Sequence, residues 1–450
     1  MSNIIQNVFK EIESVLGGIS SGTFNESINA KTPNKTVVPG DIDLKDIILI
    51  SEDQTRSYSL MSQVSTIDIY ECITSPVIFA ELRVADSIGL LESFPILGEE
   101  YVKISFTTPK SGNAVTNYVL RVNKVIDKEL NSNNKRLSYT LQLVSAELIN
   151  SSNKLITKNI TDSISNIVSD IIKTNIATSK PVKIDTTSGI DEILFTKFTP
   201  FRAIDYLRQR AISSEYKSSS FCFFENKNGY NFTTIEKLID TGSKTLAKSN
   251  HSKTFFFDTA RKDSFENVTV RNILAYNQVS FIDTMSKVAD GGLNNIVQQF
   301  DLITGDIKQV TYTDNIGADA FKKTSSSSVN TNTSGFTKKH GMSTSVTKFI
   351  PVRSDKPKVF LQEKISNLQA YTHKISQNIT LIQVYGDNSI TVGDMIECRL
   401  PSGIDSAKDR GTSRLLTGNY LVSKVRHSII NGDRPQHTMS LELIKGDLQV

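Results

Sequence analysis

The sequence predicts an α+β protein, mainly antiparallel β, in which two small β-barrel domains flank an α/β middle region. Polar and apolar residues alternate in residues 43–155 and again in residues 351–450. A two-residue period is typical of strands with one buried face and one wet face. Between these stretches the apolar spacing changes to that of amphipathic helices, beside a tight hairpin signal. An N-terminal helical extension precedes the first barrel.

The 450 residues are enough for several hydrophobic cores, about two to four by length. Composition and chain breaks divide the rest of the sequence into four further segments. They are an N-terminal helix with a flexible extension, a helix and hairpin middle region, a strand-rich connecting region and a Ser/Thr-rich mobile insertion. In that order they span residues 1–42, 156–245, 246–320 and 321–350.

The N-terminal extension begins with a predicted amphipathic helix over residues 3–17, which ends at Gly17-Gly18. Charged residues interrupt its apolar positions, which excludes the continuous apolar core of a signal peptide. No stretch of the sequence reaches the roughly 20 apolar residues of a membrane span. The helix has two open interpretations, since its apolar stripe suits either a partner or its own domain.

The clearest long hairpin of the first barrel turns at Asn131–Asn134. Apolar residues alternate on the strand that enters this turn and on the strand that leaves it. They are Tyr118, Leu120 and Val122 on the first strand, and Leu137, Tyr139, Leu141 and Leu143 on the second.

The middle region combines a helix with a second hairpin. Thr199 and Pro200 suit the N-cap and first position of a helix. Asn228-Gly229, between two aromatic strands, is the strongest short hairpin signal because both turn positions favour positive φ. Three arginines of the helix, Arg202, Arg208 and Arg210, lie largely off its apolar face. They are candidates for contact between chains, or form a solvated face.

After the strand-rich connecting region, the stretch from Lys322 to Lys348 holds few large apolar residues, which favours a mobile insertion. A helix is predicted around Ile365–His373. The second barrel follows with four predicted strands. They are Ile379–Val384, Met395–Leu400, Tyr420–His427 and His437–Leu443.

The charge balance argues against nucleic acid as a main partner, because 51 basic residues against 47 acidic ones leave a net charge of only +4. Three widely spaced cysteines, Cys72, Cys222 and Cys398, predict no disulfide framework and a reduced compartment. Cys72 and Cys222 lie in predicted strands as small core residues.

No sequence motif for phosphate binding, dinucleotide binding, a nucleophile elbow or a zinc protease is present. His427 and His437 are predicted on adjacent strands of one hairpin, near its open end. A metal site there would need a third ligand, for which Cys398 is the tempting residue. Glu99-Glu100 is the most visible acidic pair, and a solvated turn explains it. We therefore expect no catalytic, cofactor-binding or metal residues, and no enzyme.

Four passages, taken together, resemble the baseplate hub proteins of contractile-tailed bacteriophages, whose related regions occur in late-control proteins and in type VI secretion spike proteins. The passages follow one another in the same order from about residue 60 to the end of the chain. They are Ile69–Phe106, Pro200–Leu238 with FCFFENKNGYNFTTIEKL at its end, Gly292–Tyr312, and SITVGDMIECRLP with GNYLVSKVRHSI. None of them contains a catalytic signature.

The resemblance implies a structural virion protein of the tail baseplate, assembled in the host cytoplasm. Family hubs are homotrimers whose six barrels join a six-fold tail tube to a three-fold central spike. The implied partners are therefore the chain itself, the spike and the tube, and beyond them tape measure and baseplate wedge proteins. DNA would pass only transiently through the lumen, without stable membrane association. Because the chain stops at Val450 with no fused spike, the spike is expected to be a separate polypeptide.

Two alternatives stay open. One is a cell-wall hydrolase carried in a tail, which would need a cleft with a carboxylic acid of raised pKa. The other is the hub of a phage-derived contractile injection or secretion system, which the physics of the sequence does not separate from a phage hub.

Overall fold

A computed structural model of the chain has the predicted α+β fold, mainly antiparallel β. The predicted N-terminal helix, most of the Ser/Thr-rich insertion and the helix around Ile365–His373 lie outside the residues that the structure describes. The described residues are 38–109, 114–131, 136–249, 252–257, 271–280, 294–313, 345–352, 378–401, 413 and 416–445.

The first β region contains seven strands and one short helix. In its long hairpin, the predicted inward residues Tyr118, Leu120 and Val122 are buried between exposed or half-buried neighbours, whereas residues 139–144 of the returning strand are all buried. The strands are β1 Asp43–Ile50, β2 Ser57–Ser59, β3 Val64–Cys72, β4 Phe79–Asp86, β5 Tyr101–Thr107, β6 Thr116–Asn131 and β7 Arg136–Val144, and helix α1 is Leu90–Ser93.

The middle region packs five helical segments against two small sheets. Thr199 is the N-cap of the arginine-bearing helix and Pro200 its first residue, as predicted. The helices are α2 Ala146–Ser152, α3 Ile164–Asp170, a π-helical segment Ile171–Ile176, α4 Pro200–Arg208 and α5 Ile235–Lys248. The strands are β8 Ile156–Asp162, β9 Val182–Ile184, β10 Asp191–Phe198, β11 Phe221–Asn226 and β12 Gly229–Thr234.

Of the remaining strands, Gln436–Ile444 and the second half of Gly418–Ile430 alternate between buried and more exposed side chains. Residues 345–350, inside the predicted insertion, belong to a strand that runs parallel to Asn294–Asp301. The strands are β13 Thr254–Phe256, β14 Ile273–Ser280, β15 Asn294–Asp301, β16 Ile307–Thr313, β17 Ser345–Val352, β18 Ile379–Tyr385, β19 Met395–Arg399, β20 Gly418–Ile430 and β21 Gln436–Ile444.

Both β regions belong to one 13-stranded sheet with the order β14-β18-β21-β20-β3-β4-β7-β6-β5-β1-β2, in which β19 also pairs with β20 and β13 with β19. Within it, the antiparallel order β3-β4-β7-β6-β5 occurs a second time as β14-β18-β21-β20-β19. We call these the first and second β units. The strands follow the same chain order in both, so the sheet contains an internal repeat.

The registers of the two β units agree, except that β6 has an extra bulge between Ile126 and Glu129 that β20 lacks. Phe79 lies opposite Val144 in the first unit, and Ile379 opposite Ile444 in the second, so equivalent residues of β4, β7 and the first part of β6 differ by 300 in number, and those of β6 from Glu129 onward differ by 299. The hairpin strands β6 and β20 also share a bulge after Val122 and after Val422, respectively. A bulge at the same place in both hairpins bends the two units alike.

Three large hydrophobic clusters form the core of the described residues: one inside each β unit, and one between the helices and aromatic strands of the middle region. A fourth, small cluster contains Tyr70, Cys72 and Leu381. Cys72 and Cys222 are buried and free, as the sequence predicted for small core residues, and Cys398 is buried and free as well. Burial raises the pKa of the Cys222 thiol to about 12, so this thiol stays protonated and unreactive.

Candidate assembly site where the two β units join

The two β units are joined by one strand pair, between residues 424–430 of β20 and residues 66–72 of β3. On the polar face of this pair, Nε of Arg426 donates to Oδ1 of Asp68 at 3.1 Å, and the guanidinium lies over the Tyr70 ring. The charge pair is partly buried, so it fixes the register between the units more effectively than a fully exposed pair would.

The opposite face of the junction is apolar. Ile429 and Ile67 lie opposite each other, and both are 0% exposed. Ile429 thereby completes the core of the first β unit although it belongs to the second. Just beyond the strand, Nδ2 of Asn431 donates to the carbonyl oxygens of Met61 and Val64, at 2.7 and 2.8 Å, and so fixes the end of the junction.

A buried carboxylate ties this junction to the middle region. Oε1 of Glu71, on β3, accepts hydrogen bonds from the Tyr118 hydroxyl and the Lys227 backbone N–H, both at 3.1 Å. Its Oε2 accepts from Oγ1 of Thr391 at 2.6 Å and from the Val392 N–H at 3.2 Å. The four donors come from β6, from the β11–β12 turn and from the loop before β19, so one side chain joins three parts of the fold.

Burial is the largest influence on the Glu71 carboxyl and raises its pKa, while the hydrogen bonds from Thr391 and Val392 favour its ionised form. All four contacts use the oxygens as acceptors, and the side chain is 0% exposed. The arrangement suits a structural link better than acid–base chemistry.

A second buried carboxylate fixes the aromatic hairpin from its other side. Oε1 of Glu225, on β11, accepts from Nζ of Lys180 at 2.6 Å, and this ammonium also donates to Glu147 at 2.8 Å. Oε2 of Glu225 accepts from Oγ of Ser145 at 2.5 Å and from the Ile78 N–H at 3.2 Å. The hairpin is therefore connected through polar groups to the first β unit.

The sequence contained no signal for Glu71 or Glu225, because their partners lie up to 321 positions away in the chain. Both residues lie in strands, and the apolar residues around them are enough to predict those strands. Their role becomes visible only when the fold brings the three segments together.

The predicted neighbours His427 and His437 do meet, on adjacent strands β20 and β21. Nδ1 of His427 lies 3.0 Å from Nε2 of His437, and both rings are buried. Nδ1 of His437 lies 3.5 Å from Oγ1 of Thr108, and the Phe106 ring packs edge-on against His437. The pair therefore lies between the second β unit and strand β5 of the first.

The pair lies next to the hairpin turn rather than at the open end that the sequence suggested, because His437 is opposite Ile429, the last residue but one of β20. Cys398 is opposite Gly418, at the far end of β20, which is roughly 30 Å along the strand from His427. Among the described ranges, no three His, Cys, Asp or Glu side chains are grouped as metal ligands.

The acidic pair at the start of β5 divides into two different environments. Glu99 is exposed, but Glu100 is buried and accepts hydrogen bonds from the backbone N–H groups of Leu97, Gly98 and Glu99 at 2.9–3.2 Å. A solvated turn therefore describes only Glu99, whereas Glu100 closes the turn from inside.

The three candidate arginines have different surroundings. Arg208 pairs with Asp205 at 2.7 Å, and Nε of Arg210 lies 3.4 Å from Oδ2 of Asp191. Arg202 is exposed, and its guanidinium lies over the Phe198 ring at 4.8 Å. Arg202 is therefore the most available of the three for contact with another chain, which stays a prediction for all of them.

No helix among the described residues has both the length and the apolar character needed to cross a membrane. Comparison by sequence finds neither a matching protein-family model nor a matching curated protein.

Comparison by structure finds a tail protein from Neisseria meningitidis MC58, with a TM-score of 0.54 and 10% identity, over 89% of this chain and 96% of that one. It also finds the 43 kDa tail protein of prophage MuSo2 from Shewanella oneidensis, with a TM-score of 0.54 and 9% identity, over 90% of this chain and 99% of that one. The chain has the fold of a tail protein. The resemblance to tail hubs that the four sequence passages indicated is thus confirmed for the fold.

Proposed function

We propose that this chain, with its tail-protein fold, is a structural baseplate hub of a phage tail. In this proposal three chains form a ring of six β units, which joins a six-fold tail tube on one side to a three-fold central spike on the other. The internal repeat is the single observation that carries the proposal, because two equivalent units in one chain let a trimer present six similar surfaces.

The parts of the chain outside the repeat account for the three-fold side. The middle region, with its helices and its aromatic hairpin, occurs once per chain among the described residues. Glu71 and Glu225 hold that region against the β units, so a trimer would carry three copies of it in fixed positions. A ring of this kind is six-fold where the β units face outward and three-fold where the middle regions do.

The proposed partners follow from this arrangement. They are two further copies of the chain, a separate spike protein and the tail tube protein, with tape measure and wedge proteins beyond them. The proposed location is the baseplate of the virion tail. A hub in a related contractile injection or secretion system would use the same geometry, and the neighbouring genes would distinguish the two.

The hydrolase alternative finds less support in the described residues. It needs a carboxylic acid that is open to a substrate, yet the two carboxyls whose pKa values burial raises, Glu71 and Glu225, accept hydrogen bonds within the fold. A zymogram on bacterial cell wall tests this alternative, because a cleared band would show lytic activity.

Light scattering of the purified full chain, alone and mixed with a candidate spike protein, tests the adapter. We expect three times the mass of the 49.9 kDa chain when it is measured alone, or three chains plus the bound spike once the spike is added. A mass that stays at one chain across all concentrations, with or without the spike, would refute the trimeric adapter.

A further inference from the structure

We infer that strands β6 and β14 are the two edges through which copies of this chain join. Residues 124–131 of β6 in one copy pair antiparallel with β14 of a second copy. The inference rests on the proposed function, since it names the surfaces by which the trimer would close. It is drawn from the register of the internal repeat.

The junction inside the chain provides the template. Strand β20 pairs with β19 over residues 418–421 and then, on the same side, with β3 over residues 424–430. Its equivalent β6 pairs with β5 over residues 116–121. Beyond Arg121, the only described strand beside β6 is β7. The edge of β20 that pairs with β3 therefore has a counterpart on β6, and no described strand pairs with β6 at that edge.

The repeat also says which strand fits this place. The equivalent of β3 in the second β unit is β14, because β3 pairs with β4 as β14 pairs with β18. Within the described part of the chain, β14 ends the sheet and pairs with β18 alone. The internal junction thus pairs β20 with β3, and their equivalents β6 and β14 have no strand at the corresponding edges among the described residues.

Residue equivalence gives a register for the contact. On β6, Glu129 and Leu130 lie opposite Ser138 and Leu137, just as Ser428 and Ile429 lie opposite Thr438 and His437 on β20.

On strand β14, Tyr276 and Asn277 are equivalent to Ile67 and Asp68 of β3. Their partners on β18 are the equivalents of the partners of Ile67 and Asp68 on β4. The internal pairs Ile429–Ile67 and Ser428–Asp68 therefore become Leu130–Tyr276 and Glu129–Asn277 between copies.

Side-chain exposure agrees with this register. Ile429 is 0% exposed at the internal junction, whereas its equivalent Leu130 is 71% exposed. Val425 is likewise buried, and its equivalent Val125 is 36% exposed. On β14, Leu274 and Val279 are large exposed apolar residues as well. Open sheet edges with exposed apolar side chains favour pairing with another strand, so a covering strand is expected.

Ring closure follows from the heterologous nature of the contact. Because β6 of one copy meets β14 of the next, each copy uses two different surfaces, and such contacts close into a ring when the rotation permits. Three copies would contain three internal β20–β3 junctions and three β6–β14 junctions between chains. The six junctions would then be nearly equivalent, which is the geometry that the proposed function requires.

A disulfide between chains tests the register. The double variant Glu129→Cys/Asn277→Cys places two thiols on directly opposite residues, whose Cα atoms lie about 4.5–5.5 Å apart in an antiparallel pair. This separation lies within the usual disulfide range of about 4.4–6.8 Å. We expect mild oxidation of the full-length chain to give a covalent trimer on a denaturing gel. The three native cysteines are buried and should not interfere.

Asn117→Cys/Asn277→Cys is the matched control. Asn117 is exposed on the same strand β6, but β5 already pairs with the backbone there, so we expect no covalent trimer from this variant. Leu130→Asp gives an independent readout, and we expect it to weaken trimer association about tenfold or more. Val119→Asp, which is also exposed on β6, should leave the association unchanged.

The outcomes separate the two proposals. A trimeric mass with no disulfide from the first pair, and with Leu130→Asp without effect, would overturn the assignment of the edges and leave the adapter standing. Disulfide-linked chains from the first pair, together with no binding of the spike protein in light scattering, would support the assignment of the two strand edges and count against the adapter. A monomer under all conditions, with no disulfide, would overturn both.

Discussion

Nδ1 of His427 lies 3.0 Å from Nε2 of His437 in a fully buried pair, and the two imidazoles join the second β unit to Phe106 and Thr108 of the first region. Because both rings are buried, the fold favours their neutral forms. Burial lowers the pKa of His437 from 6.5 to about 4, and burial followed by the nearby His437 and Lys227 lowers that of His427.

The first prediction concerns the stability of the chain in mild acid. Between pH 6.5 and about 4 the unfolded chain binds a proton at His437 that the folded chain does not bind. The stabilisation is therefore complete above pH 6.5 and lost as the pH falls toward 4, by about 3 kcal/mol for this residue. Chemical denaturation at a series of pH values measures the effect.

His437→Gln should make the free energy of unfolding depend less on pH over this window. Glu71 and Glu225 act in the opposite direction, because a raised carboxyl pKa gives stability that is lost as the pH rises. Their effect is the same in the natural chain and in His437→Gln, so it does not alter the difference between the two slopes. Met439→Leu, a buried neutral neighbour opposite His427, is the control that should lower stability without changing the slope. Equal slopes for His437→Gln and the natural chain would contradict the prediction.

The second prediction uses the close packing around this pair. A Cβ at Gly386 would lie 2.0 Å from ring atoms of His437, so Gly386→Ala should lower the free energy of unfolding by about 1–3 kcal/mol. Gly432→Ala is the matched control, because a Cβ there meets nothing within 4 Å. Thermal or urea denaturation of the two variants should separate them clearly, and equal stabilities would contradict the packing.

The strands could be predicted from the sequence because their signals are local. Alternation fixes which residues of β6 and β7 face the core, and Asn228-Gly229 fixes the aromatic hairpin. The approach of His427 to His437 also follows from one hairpin. The pairing of β20 with β3 could not be predicted, since the partners are about 350 residues apart and no local pattern selects one strand over another.

The internal repeat did leave a signal in the sequence. VNKV at 122–125 and VSKV at 422–425 occupy equivalent places, as do LQL at 141–143 and LEL at 441–443. Short patterns of this kind are common in strands, so they gain meaning only from their shared register. By contrast, the four donors around Glu71 come from three distant segments, and neither periodicity nor spacing indicates them.

The third prediction concerns Arg202, the candidate contact residue with the least internal engagement. It is exposed on α4 and lies over the Phe198 ring, so Arg202→Ala should change the free energy of unfolding by only about 0.5 kcal/mol. If it contacts a neighbouring chain, the same variant should weaken trimer association. Lys183→Ala, also exposed in the middle region, is the control for the loss of one positive charge. Sedimentation of both variants against the natural chain measures the difference.

The last prediction addresses Glu71 as the link between the two β units and the aromatic hairpin. Glu71→Ala would leave the Tyr118 and Thr391 hydroxyls and the Lys227 and Val392 N–H groups buried without an acceptor. Because each such group costs about 1–3 kcal/mol, we expect a loss of at least about 4 kcal/mol in the free energy of unfolding.

Glu81→Gln on the neighbouring strand β4 is the comparison for Glu71. This side chain is half-buried and accepts one hydrogen bond, from Gln142, which the amide oxygen of a Gln can still accept, so the variant should lower the free energy of unfolding by no more than about 1 kcal/mol. Hydrogen exchange would locate the effect, since losing the link should expose the β11–β12 turn and the loop before β19 together, whereas Glu81→Gln should leave both protected. Exchange confined to β3 in the Glu71 variant would mean that the middle region is held by its apolar contacts, with Glu71 only filling space between them.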